Sequence, residues 1–252
     1  MPFSARQSVE LFHLHFLRQL AAGTDRALFV LKGGCNLRFF FESFRYSEDM
    51  DLDVRVMTRA TLKNKVERLL DSPALRLPLR VQGLEVVEVS APKQTETPQR
   101  WKLGLKLTGH SVPLRTKVEF SRRGDAEGTI EAVNGAVARA YGVTPPVVSH
   151  YLAPAAIVQK VQALIGRPQT QARDVFDLQV LRAKSSSSVR VGEPIKRQIP
   201  QAIERVMALS YDDYLAQVVA YLSEDQAPAF RDREVWDAMQ LEVVELLERL
   251  QA

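Results

Sequence analysis

The chain has 252 residues, 46% hydrophobic and 25% charged, which excludes a disordered chain and allows a real core. Its net charge of +4 and pI of about 9.2 permit a nucleic-acid partner without requiring one. Cys35 is the single cysteine, so no intrachain disulfide forms. No apolar run reaches transmembrane length, and the N-terminus MPFSARQSVELFHLH lacks signal-peptide architecture, so a cytoplasmic protein with no membrane partner is expected.

Residues 6–22 read as a helix, because Val9, Phe12, Phe16 and Leu20 recur at spacings of three and four. Ala27 to Leu31 is a short apolar run, read as a buried strand. It meets Gly33-Gly34, and helical character resumes from Asn36 to Phe44. Met50 to Val56 alternates: Met50, Leu52, Val54 and Val56 on one face, Asp51, Asp53 and Arg55 on the other, as in a strand with one buried face. Thr61 to Leu70 reads as a helix. Leu84 to Val89, Trp101 to Leu107 and Arg115 to Phe120 read as three strands, with the polar stretch Ala91 to Pro98 a loop. This sheet-bearing half is expected to end near residue 125. Tyr141 to Pro154, with three prolines, reads as a linker. Helical spacing follows in 155–165, 171–181, 196–208, 212–222 and 231–250. The last carries an apolar stripe of Trp236, Met239, Val243, Leu246 and Leu250, and Ser185 to Ser188 reads as an exposed loop.

Two features carry chemistry. A strand ending in Gly33-Gly34 before a helix lets backbone N–H groups approach an anion at the positive end of that helix, although such turns are often only tight turns. In Asp49-Met50-Asp51, residues two apart on a strand share a side. Their carboxylates, roughly 7 Å apart along the backbone, can converge on hard cations, or simply form an acidic edge. Cys35 reads as a small packed residue beside the glycine turn, and Phe39-Phe40-Phe41 as core. His13, His15, His110 and His150 show no ligand spacing for zinc.

The block Leu31-Lys32-Gly33-Gly34-Cys35-Asn36-Leu37-Arg38, followed by Arg45-Tyr46-Ser47-Glu48-Asp49-Met50-Asp51-Leu52-Asp53, resembles the signature of the polymerase-β-like nucleotidyltransferase superfamily. In its fuller form it resembles the AbiEii/AbiGii branch, toxin components that include the MenT-type enzymes. Downstream, Lys160 to Leu164 and then Arg173-Asp174-Val175-Phe176-Asp177-Leu178 is similar to a second element of that family. The family usually has Thr or Ser after the glycines; here Cys35 and Asn36 stand there.

The resemblance implies an α+β fold: a nucleotidyltransferase core with a mixed twisted sheet flanked by helices over residues 1–145, then a C-terminal helical domain over 146–252, with nucleotide between the two. It implies Mg²⁺ (or Mn²⁺) on Asp49 and Asp51, with Glu119 a candidate third ligand; an exposed Glu119 paired with Lys117 or Arg122 is the alternative. Gly33 and Gly34 are expected to receive the β/γ-phosphates of the NTP. Asn36, Arg45, Ser47 and Lys160 are expected to assist, and Asp174 to orient or deprotonate the acceptor hydroxyl. For Lys160, on the apolar face of Ile157 and Leu164, an ion pair with Asp174 or Asp177 is the structural alternative. The implied activity is transfer of NMP to the 3′ end of tRNA by a toxin with a cognate antitoxin, in a toxin–antitoxin or phage-defence system. The alternatives are transfer to a small-molecule or protein hydroxyl, or a silent nucleotide- or partner-binding module.

Overall fold

The computed structural model describes residues 3–122, 128–185 and 189–251. Ser186 to Ser188, most of the serine run, and residue 125, the expected end of the first half, lie outside them. Contacts divide the chain into two units: Met1–Phe40 with Tyr46–Tyr151, and Phe41–Arg45 with Leu152–Ala252.

The first unit opens with α1 (Ala5–Gly23), started by a capping box in which Ser4 and Gln7 exchange side-chain to backbone hydrogen bonds. A 3-10 turn at Arg26–Leu28 leads into β1 (Phe29–Lys32), so the strand begins two residues later than the apolar run suggests. The helix α2 (Gly33–Phe40) starts on the first glycine, whose φ of +67° turns the strand directly into it. It stops short of the expected Phe44, and Glu42 follows in the left-handed region at φ 57°. Next come β2 (Asp49–Val54), α3 (Arg59–Asp71) and α4 (Pro73–Val81), the last unanticipated. Val56 is not on the buried face of β2: the strand has ended, and Val56 sits 95% exposed at φ 56° in a tight turn.

Then follow β3 (Leu84–Gln94), β4 (Pro98–Leu107), β5 (Leu114–Ser121), β6 (Thr129–Ala132), α5 (Gly135–Ala140) and β7 (Val147–His150). Most of the expected loop at 91–98 is therefore strand. The far end of β3 is exposed on both faces, so it lacks the alternation that marks a half-buried strand. The expected linker contains β7, which enters the sheet beside β1. The sheet is mixed, in the order β3-β4-β5-β2-β1-β7-β6. β2 runs antiparallel to β1 and parallel to β5. Its core face, with Met50, Leu52, Val118, Phe120 and Trp101, is buried together with Phe12 and Phe16 of α1.

The second unit holds α6 (Ala153–Gly166), α7 (Ala172–Lys184), α8 (Glu193–Lys196), α9 (Ile199–Met207), α10 (Tyr211–Gln217) and α11 (Arg233–Gln251). The helix expected over 196–208 is α9, preceded by the separate short α8. The α11 stripe is buried as expected, and Trp236 stacks on Tyr214 at 4.7 Å between centroids. Arg205 closes the end of α6 by donating to the carbonyls of Leu164, Ile165 and Arg167. Among the described residues, no helix is long and apolar enough to cross a membrane.

Candidate active site

The register of three strands assembles a charged patch on the face of the sheet away from its core. Asp51 lies opposite Lys32 on β1 and opposite Glu119 on β5; Asp49 lies opposite Lys117. Because side chains alternate along a strand, Asp49, Asp51, Lys117 and Glu119 share this face. Lys117 donates to the Asp49 carboxylate at 2.6 Å. Arg100 of β4 donates to Glu119 at 2.5 Å, so neither Lys117 nor Arg122 is the partner of Glu119. Burial pushes the Asp51 carboxyl above its usual value. Lys117 and Lys32 oppose that rise, and Asp49 and Glu119 add to it.

Gly33 belongs to the same patch. A β-carbon there would lie 3.1 Å from the Asp51 carboxylate oxygen, so glycine is required both by its backbone angle and by this close approach. Asp53 is a different case. It is 2% exposed, receives Lys32 at 2.6 Å and the Tyr151 hydroxyl at 2.7 Å, and is fully engaged in tying β1, β2 and the end of β7 together.

Three residues expected to contact the nucleotide have hydrogen-bond partners within the chain. Asn36 is buried, its amide donating to the Tyr151 carbonyl at 2.9 Å and its oxygen 3.0 Å from His150 Nδ1. These bonds dock α2 on β7. The Ser47 hydroxyl donates to the Asp49 carbonyl at 2.8 Å, which shapes the entry to β2. Arg45 is 5% exposed and belongs to the second unit, where its guanidinium grips both oxygens of Asp177 at 3.1 and 3.2 Å. Cys35 is buried, and burial raises its thiol well above the usual range, as befits a packed and unreactive residue.

The second unit carries a buried ion cluster. Lys160 donates to Asp174 at 2.9 Å and lies 2.5 Å from Asp177; both carboxylates are fully buried. Arg167 approaches the other Asp174 oxygen at 3.3 Å. Burial alone would raise Asp177, but Arg45 and Lys160 outweigh it and hold the carboxyl below its usual value. Burial likewise opposes the charge on Lys160, and Asp174 and Asp177 raise it overall. The ion pair given as the structural alternative for Lys160 is present, with Asp174 and Asp177 at once.

Asp49, Asp51 and Glu119 offer oxygen donors only, which suits a hard divalent cation, and the raised Asp51 is a group that such a cation would satisfy. Among the described residues no three such side chains already form a ligand group. Asp49 is turned to Lys117 and Glu119 to Arg100, so two cationic side chains stand where positive charge is needed. The sequence offers Lys117 only as a possible partner of Glu119, and does not mark Arg100 as part of the site.

A glycine turn from strand into helix, beside a strand of alternating aspartates, defines a nucleotidyltransferase-like site. A family model described as "Nucleotidyl transferase AbiEii toxin, Type IV TA system" matches residues 15–251, and the chain belongs to this family. It is accordingly an AbiEii-type nucleotidyltransferase toxin of a type IV toxin–antitoxin system, which implies an NTP substrate, a divalent metal and an antitoxin partner. No curated protein matches the chain. Three solved structures share the fold. JHP933 from Helicobacter pylori is 18% identical with a TM-score of 0.60, the match covering 99% of this chain and 96% of that one. A putative nucleotidyltransferase from H. pylori is 19% identical with a TM-score of 0.60, covering 97% and 96%. MenT4, the nucleotidyltransferase toxin Rv2826c from Mycobacterium tuberculosis H37Rv, is 20% identical with a TM-score of 0.58, covering 98% and 94%.

Proposed function

We propose that this toxin transfers NMP from an NTP to the 3′ end of tRNA and so blocks translation. The observation that carries the catalytic part is the register that sets Asp51 between Lys32 and Glu119, beside Gly33. In this reading Asp49 and Asp51, with Glu119, hold Mg²⁺ or Mn²⁺. The acceptor hydroxyl attacks the α-phosphorus, a phosphoester bond forms, and the bond to pyrophosphate breaks. The cation supplies charge neutralisation at the phosphates. The chain's own part is positioning: the carboxylates fix the charge, and the Gly33–Gly34 backbone admits the β/γ-phosphates closely. Lys32 and Lys117 add positive charge beside the carboxylates. A part for Lys160 in phosphate binding requires it to exchange a carboxylate for a phosphate. Asp174, held by Lys160 and Arg167, serves as a base only if that pairing opens.

The pI of about 9.2 supports a nucleic-acid acceptor, and the family supports a toxic outcome. The test is incubation of purified protein with NTP and pooled tRNA, with Mg²⁺ or with chelator, following pyrophosphate release. Release that depends on both tRNA and Mg²⁺ supports the reading. Release that survives removal of tRNA, or of all divalent metal, contradicts it.

A further inference from the structure

The backbone entering β2 is held by side chains of β5, of α2 and of the loop before it. The Thr116 hydroxyl lies 2.6 Å from the Glu48 carbonyl. The Asp49 carbonyl accepts from the Ser47 hydroxyl and from the Cys35 thiol, at 2.8 and 3.3 Å. Behind them stands His13 of α1, buried, with Nε2 3.0 Å from Thr116 Oγ1 and Nδ1 3.5 Å from Cys35 Sγ.

The order of protons along this chain follows from what each atom can do. A carbonyl only accepts, so Thr116 spends its single hydrogen on Glu48. Towards His13 it can then only accept, so Nε2 must carry a hydrogen. Burial holds the ring neutral, pushing it down to about 4, with Asp49 opposing weakly. A neutral imidazole has one N–H, so Nδ1 carries none; the Cys35 sulfur 3.5 Å away, its own hydrogen given to the Asp49 carbonyl, only packs against it.

We infer that His13, as its Nε2–H tautomer, and Thr116 form a hydrogen-bonded relay from α1 through β5 that positions Asp49. The geometry gives the relay a purpose. Thr116 and Lys117 are neighbours on β5 and point to opposite faces of the sheet. One grips the backbone just before Asp49; the other meets the Asp49 carboxylate. The aim of that carboxylate therefore depends on where the relay sets the start of β2. Sites of this kind hold their groups to about 0.5 Å, through supporting hydrogen bonds. His13 and Thr116 are positioning residues: neither touches substrate.

The inference rests on the reading of Asp49 as a cation ligand, and its test separates the two. The full chain is compared with Thr116→Val, which keeps the shape and loses the hydroxyl, Thr116→Ser, which keeps the hydroxyl, and His13→Gln, whose amide can still donate. Three quantities are read: Mn²⁺ affinity from the electron paramagnetic resonance of free Mn²⁺, the ¹⁵N resonances of the His13 ring, and the ¹³Cγ resonance of Asp49. The relay predicts a proton on Nε2. It predicts roughly fivefold weaker Mn²⁺ binding in Thr116→Val, the equivalent of one net hydrogen bond, and near wild-type binding in Thr116→Ser and His13→Gln. A proton on Nδ1, or Thr116→Val with unchanged Mn²⁺ affinity and an unmoved Asp49 resonance, overturns it, even if the melting temperature falls. Wild-type protein that takes up no Mn²⁺ removes the cation reading instead; the His13 tautomer and the Asp49 resonance in Thr116→Val then decide the relay by themselves.

Discussion

Replacing Lys160 with alanine separates a structural lysine from one held for the nucleotide. The ammonium lies between two fully buried carboxylates, at 2.9 Å from Asp174 and 2.5 Å from Asp177. Its loss leaves Asp177 with Arg45 but leaves Asp174, among the described residues, with only the Arg167 cation at 3.3 Å. Breaking a buried pair by removing one partner costs about 3–5 kcal/mol, because the abandoned charge stays buried. Since Asp177 keeps Arg45, the lower end applies. About 3 kcal/mol corresponds to a fall of roughly 6–12 °C in melting temperature for a chain of this size. The sign with pH is fixed by the two shifts. Asp177, held low, contributes stability that is present above its unfolded value and lost as pH falls. Lys160, held high, contributes stability that is present below its unfolded value and lost as pH rises. The Lys160→Ala deficit should therefore be full near neutrality and shrink on acidification. The assay is a melting curve without nucleotide across pH, beside an NTP-binding titration. A melting temperature within about 2 °C of wild type, together with lost NTP affinity, would refute the structural account and return Lys160 to nucleotide binding.

Further outcomes follow from individual residues. His13, neutral and pushed down to about 4 from the ordinary 6.5, contributes stability that is present above 6.5 and lost as pH falls towards 4. At about 1.4 kcal/mol per pH unit this amounts to about 3 kcal/mol, and His13→Gln should flatten that part of the profile in urea melts. Gly33→Ala forces a side chain into the left-handed region and against the Asp51 oxygen, costing about 1–2 kcal/mol for the backbone alone. Transfer should fall more than stability does; full transfer would show that the glycine turn is only structural. Asp53→Asn should cost about 1–3 kcal/mol in denaturant titration, through the lost Lys32 pair, with Mn²⁺ affinity little changed. Lost metal binding with normal stability would place the cation on Asp51 and Asp53 instead.

The strand with alternate aspartates and the glycine turn were legible because both are local: period-two alternation and a backbone that needs glycine are written in consecutive residues. The buried stripe of α11 was legible for the same reason. What stayed hidden depends on strands distant in sequence. Arg100 reaches Glu119 only through the β4–β5 register, and Tyr151 reaches Asp53 only because β7 inserts beside β1. β6 and β7, of four residues each, are too short for periodicity to mark them. The position of Asn36 after two glycines suggests a phosphate contact, and its inward bonds to His150 and Tyr151 depend on β7, more than a hundred residues on. Lys160 could be placed on an inward face, and Asp174 and Asp177 were visible as its alternatives. That both pair with it at once emerges only from the packing of α6 against α7.

The most direct test of the central claim follows a labelled nucleotide. Wild-type chain and Asp51→Asn, at equal concentration and both shown to be folded, are incubated with tRNA, Mg²⁺ and each α-labelled NTP in turn, and the labelled RNA is mapped. The account predicts label at the tRNA 3′ end with wild-type protein and at least one NTP, none with chelator, and none with Asp51→Asn. Equal labelling by Asp51→Asn would contradict the carboxylate site, and label that appears only on protein or a small molecule would contradict the tRNA acceptor.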